Sequence, residues 1–201
     1  VEKVFPGWDF GNYPVLERHV LARCIRKTDC GGLCVREEEA MVLSNWQKQK
    51  INLMADYQES LSELYTYYSV KFPAHQDFWL DLALPKLRYA DWLRLCLSKI
   101  EAGAYRYNMM RFAVETVRSG LGYLKAQTRN IWHADISHAD ALAMALSIET
   151  GLISSRFYEI VNPLENEAGD IVGGFKMEMR NHIRMIQGLI YASRNTNYQV
   201  V

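Results

Sequence analysis

The chain has 201 residues, enough for one domain with a sizeable core, and its hydrophobic and charged shares, 49% and 23%, are those of an ordinary globular protein. Basic and acidic side chains balance at 23 each, so a formal net charge of zero removes any broad attraction for nucleic acid or anionic membranes. No apolar run reaches the roughly 18 residues that a membrane span needs.

Residues 1–36 read as an irregular arm. Gly7, Gly11, Gly31, Gly32, Pro6 and Pro14 interrupt any long helix, and Phe5, Trp8, Phe10 and Tyr13 need a surface to bury against. Cys24, Cys30 and Cys34 are spaced C-x5-C-x3-C, which matches no common zinc spacing even with His19 or Cys96 as a fourth ligand. Free thiols, a disulfide and a metal site all stay open. Val1 in place of Met points to a truncated or processed start, and the expected location is the cytoplasm.

From residue 37 the pattern turns helical. A first helix is expected from Glu37 to Lys71, with three acids in its first turn and apolar residues from Met41 and Trp46 to Leu64 and Tyr68 at helical spacing. Phe72-Pro73 ends it. A second helix is expected from Asp77 to Glu101, stopping at Gly103, and a third over 108–131. A fourth begins after Ser137, a good N-cap with Asp140 three residues on, and continues to about Val161. Residues 162–174 read as a loop. A fifth helix follows from Phe175 to Ser193, with Met177, His182, Met185, Ile186 and Leu189 near one stripe. No convincing alternating strands occur. The expected fold is all-α over 37–201: four helices in a bundle, with the third stretch crossing between its halves.

Several segments carry a resemblance. Leu64-Tyr65, Phe72-Pro73-Ala74-His75 and Phe78-Trp79 occur in order, followed by Ala145-Leu146-Ser147-Ile148-Glu149 and His182-Ile183. In these the chain resembles the rubrerythrin-like branch of the ferritin-like superfamily, over about 37–193. The resemblance implies a ferritin-like four-helix bundle with a helical crossover between two hairpins, and a dimetal centre held by inward carboxylates and histidines. Carried over residue by residue, the ligand positions fall on Gln58, on Lys86 and Tyr89 where Glu-x-x-His is expected, on Glu149, and on Met179 and His182. Only Glu149 and His182 are metal-ligating types. Glu178 would supply an acid if the register shifted by one, and Glu59 neighbours Gln58 about 100° around the helix.

Two readings of Lys86 follow. It is a solvated lysine, or its ammonium enters the former metal cavity and pairs with Glu149, with Gln58, Tyr89 and His182 completing a polar network. His182 is either a satisfied core histidine or a ligand. The tyrosines Tyr57, Tyr65, Tyr67 and Tyr68 read as packing. No nucleophile motif or phosphate loop is present, so neither catalytic nor cofactor-binding residues are assigned. The expected function is a non-catalytic structural or interaction subunit, in a homo-oligomer or larger complex, without a cofactor. The alternative is a metal-dependent oxidoreductase with one iron or manganese ion on Glu149, His182 and either Glu178 or Glu59.

Overall fold

The structure is a computed structural model and describes residues 43–108, 113–131, 133, 135–163 and 169–196. The arm at 1–36, with Cys24, Cys30 and Cys34, lies outside the described residues. The described chain is mostly helical: α1 Asn45–Lys71, α2 Gln76–Glu101, α3 Val114–Asn130, α4 His138–Ser154 and α5 Gly169–Thr196, with two short strands, β1 Tyr105–Tyr107 and β2 Val161–Pro163. Among the described residues, no helix is long and apolar enough to cross a membrane.

The first helix starts at Asn45, not Glu37. Ser44 is extended (φ −68°, ψ 158°), and its amide and hydroxyl both donate to Gln47 Oε1, at 2.7 and 2.9 Å. This capping box satisfies groups at the helix start; the acidic run Glu37, Glu38 and Glu39 lies outside the described residues. The end is as expected: Phe72 leaves helical geometry immediately before Pro73, and its amide donates to Tyr68 O at 2.9 Å. A single short turn, Pro73–His75, leads into α2. The contacts Lys48–Glu101, Arg94–Glu59 and Tyr65–Trp79 show that α1 and α2 run antiparallel. Gly103, at φ 77°, ends α2 in the left-handed region that favours glycine, and the Ala104 amide reaches Lys99 O at 2.9 Å.

Two short strands accompany the helices without changing the all-α class. β1 and β2 pair antiparallel, Tyr105 with Pro163, Arg106 with Asn162 and Tyr107 with Val161. Three residues are too few for a period of two to show in a sequence. The third helix starts at Val114, not at 108. The α3 stripe Val117, Gly120, Leu121, Leu124 and Thr128 is buried, and α3 packs on α1. Lys71 Nζ ties the two helix ends together by donating to Ile131 O at 2.7 Å.

α4 begins as expected. Asp140 N donates to Ser137 Oγ at 3.2 Å, and Ser137 Oγ donates to Asp140 Oδ2 at 2.6 Å. It ends at Ser154, seven residues short of the expectation. Arg156 takes the left-handed conformation (φ 53°, ψ 44°), and a short turn over Phe157–Ile160 follows. Phe157, Tyr158, Ile160 and Val161 are all buried there. A continued helix would have spread these neighbours around its circumference, some of them into water. α5 starts six residues early and includes Gly173 and Gly174, each costing about 1 kcal/mol against Ala. An added Cβ at either would meet nothing within 4 Å, so no close packing explains them.

The apolar stripes meet in one core. α1 supplies Ile51, Met54, Leu61, Leu64, Tyr65 and Tyr68; α2 supplies Trp79, Leu82, Leu93, Cys96 and Ile100. α4 adds Ala141, Ala145, Ile148 and Leu152. On α5 the buried stripe is Met179, His182 and Ile186, whereas Met177 and Met185 are exposed. Trp46, expected in the core, is also exposed, its ring edge-on to Tyr107. Aromatic side chains gather into two clusters, Tyr65, Tyr68, Phe72, Trp79 and His138 in one, Tyr57, Tyr89, Trp92, Phe157 and Phe175 in the other.

Candidate functional site

Four helices each send one polar side chain to a common point. Glu149 of α4 sits on the same buried face as Ala145 and Leu152, so its carboxylate is carried into the core by helical spacing. Lys86 of α2 is 3% exposed and Glu149 is 0% exposed. Lys86 Nζ lies 2.7 Å from Glu149 Oε1 and 2.8 Å from Oε2. From α1, the Tyr65 hydroxyl donates to Oε1 at 2.9 Å. From α5, His182 Nδ1 stands 3.6 Å from Oε2. That is beyond hydrogen-bond range, and Nδ1 is buried without a hydrogen-bond partner.

Burial pushes the Glu149 carboxyl pKa up, because a charge loses its water. The Lys86 ammonium and His182 imidazole more than offset this and hold it down to about 2. Glu149 is therefore a carboxylate across the ordinary pH range. Burial, the Glu149 charge and the hydrogen bond all push the Tyr65 phenol well above its usual range, so Tyr65 serves as a neutral donor. A lone carboxylate or ammonium at this depth would cost several kcal/mol, and each group supplies the charge the other needs.

The solvated reading of Lys86 is thus overturned, and the pairing with Glu149 beside His182 is the observed one. One member of the expected network, Tyr89, is elsewhere. Tyr89 packs its ring against Trp92 and Phe175, and its hydroxyl reaches only the Phe157 carbonyl, at 3.4 Å. Gln58 is 1% exposed, but its Nε2 has no hydrogen-bond partner. Tyr65 was missed as a polar participant because tyrosine in a helical stripe reads as packing. It lies two turns after Gln58 on the same helix face, which was the available signal.

The remaining candidate ligands have other partners. Glu59 is clamped by Arg94, which also reaches Asp56 at 3.1 Å. Glu178 pairs with Arg88 at 2.5 Å. Neither carboxylate joins Glu149 and His182. Among the described residues, no three His, Cys, Asp or Glu side chains are grouped to hold a metal ion. The donor set at the convergence point, one carboxylate already bound by an ammonium plus one imidazole, does not fit a dimetal centre. Cys96 is a buried free thiol, and burial pushes its pKa up to about 12. It is inert as a nucleophile at neutral pH.

At the end of α1, His75 and His138 stack with ring centres 4.0 Å apart and planes 1° from parallel. Burial, and then His75, lower the His138 pKa. Comparison of the chain with family models, with curated proteins and with solved structures gave no match.

Proposed function

We propose that this chain is a ferritin-like four-helix protein of the rubrerythrin-like kind whose metal position has been taken over by an internal ion pair. In this reading α1, α2, α4 and α5 form the bundle and α3 connects its two hairpins. It acts as a non-catalytic structural or interaction subunit, in a homo-oligomer or a larger complex. The observation that carries the reading is the convergence of Tyr65, Lys86, Glu149 and His182 from four helices, with Lys86 bound to the carboxylate that would otherwise hold a metal. An ammonium and a metal dication cannot share one buried carboxylate without strong repulsion. Protein purified from cells grown with excess iron and manganese should carry well under one metal ion per chain by elemental analysis. Two ions per chain would overturn the proposal.

A second reading is supported by one feature, the buried His182 Nδ1 that faces Glu149 at 3.6 Å without a hydrogen bond. There a single iron or manganese ion would displace Lys86 and serve oxidoreductase chemistry. Metal titration of wild type against the Glu149→Ala, His182→Ala double variant decides it. If the two titrate alike, no ion sits at this point.

A further inference from the structure

A cleft of about 510 Å³ opens where the α1–α2 turn meets the second half of α5. This is within the ~300–1,000 Å³ typical of small-ligand sites. None of the four side chains at the buried ion pair lines it, so the cleft is independent of the function proposed above.

Its chemistry is set by a few residues. Phe78, Met185 and Leu189 make the apolar wall, and Met185 is exposed on it. His75 also lines the cleft, and its imidazole is held on one face by His138 at 4.0 Å. A ring fixed on one face can take a second planar group only on the other. A thioether such as Met185 packs favourably against an aromatic ring. Among the described residues, Asp77 is the one carboxylate on the wall and no lysine or arginine lines it. Gly188 leaves room on the α5 side, where an added Cβ would meet nothing within 4 Å.

We propose that this cleft binds a small aromatic amine, with its ring against His75, Phe78 and Met185 and its ammonium on Asp77. The amides of the first turn of α2 oppose a cation, since the N-terminal end of a helix favours negative charge. The preferred sign of ligand charge is therefore the decisive quantity.

The experiment titrates the full chain with phenethylamine and, separately, with 3-phenylpropionate, following saturation-transfer difference NMR. Phenethylamine should bind with a dissociation constant in the millimolar range and more tightly than the anion. Asp77→Asn should weaken the amine about threefold to fivefold, as expected for an exposed ion pair, and should erase the preference for the cation. Gly188→Leu should abolish amine binding while leaving the circular-dichroism melting curve close to wild type. If that variant does not fold, the Asp77→Asn comparison decides alone. Tighter binding of 3-phenylpropionate, or no phenethylamine binding at about 10 mM, would overturn the proposal. So would unchanged binding in a folded Gly188→Leu.

Discussion

Lys86 and Arg94 lie eight residues apart on α2, and each binds a carboxylate from another helix. Arg94 reaches Asp56 and Glu59 of α1 with its side chain 37% exposed, while Lys86 reaches Glu149 of α4 with its side chain 4% exposed. The chemistry is of one kind, a cation on carboxylate oxygens, three of them for Arg94 and two for Lys86. The surroundings differ more. At the surface, water competes for every group, and the carboxylates tolerate loss of their partner. In the core, water cannot replace a lost partner, so the pair is held together by the penalty of separating it. The lesson is that a list of ion pairs says little about stability until burial is attached to each.

The sharpest way to break the comparison is to strip one partner from the core pair. Lys86→Met leaves the Glu149 carboxylate buried and unpaired, and Glu149→Leu leaves the ammonium. Each should cost about 3–5 kcal/mol in urea unfolding. The double variant should regain most of this, because an apolar pair of similar volume carries no desolvation penalty. Effects that simply add, within about 0.5 kcal/mol, would show that the two charges do not depend on each other.

The pH dependence should separate the two regions next. The folded Glu149 carboxyl is depressed to about 2 from an ordinary value of 4.5. The unfolded chain therefore takes up this proton first as the pH falls. Its contribution, on the order of 3 kcal/mol, is present above about pH 4.5 and is lost as pH falls toward 2. Glu59 is also held below its usual range, by the hydrogen bond from Arg94, but at the surface. Unfolding curves at pH 7, 5 and 3 should thus show a large acid loss in wild type and a smaller one in the Lys86→Met, Glu149→Leu protein. An equal acid loss in both would place the sensitivity elsewhere.

Tyr65→Phe sharpens the view of the core further. It removes one donor from Glu149 Oε1 and leaves Lys86 in place. The expected loss is about 1.5–3 kcal/mol, the usual worth of a hydrogen bond to a charged group. If the stability of Tyr65→Phe matches wild type, the phenol contributes packing alone. The smallest effect is expected at the surface. Arg94→Ala should cost less than about 1 kcal/mol, and 1 M salt should shrink the difference by screening. A loss as large as that of Lys86→Met would erase the distinction between the two sites.

Much of this was legible in the residues. Glu149 was reached through the resemblance, in the stretch Ala145-Leu146-Ser147-Ile148-Glu149. Lys86, reached through the same resemblance, was one candidate for its partner. The Tyr65 hydroxyl was not legible, since a phenol in a helical stripe buries its ring whether or not its oxygen has a partner. Tyr89 was assigned to the network through the resemblance, at the second position of the expected Glu-x-x-His pair, yet three positions on a helix turn a side chain about 300°. In the fold that small offset delivers the ring to Trp92 and Phe175 instead.

Local chemistry by itself determined the helical class, the Phe72-Pro73 stop, the Gly103 stop and the Ser137 cap. Each depends on groups within a few residues of one another, so no distant contact is needed to specify it. Tertiary structure decided the rest. It ended α4 at Ser154 because Phe157, Tyr158, Ile160 and Val161 all find cover only off the helix. It paired Tyr105–Tyr107 with Val161–Pro163, segments more than fifty residues apart. It also chose Glu149 over water for Lys86, because the partner's charge and the surrounding apolar side chains come from other helices. A single strand of sequence holds no record of which faces will meet.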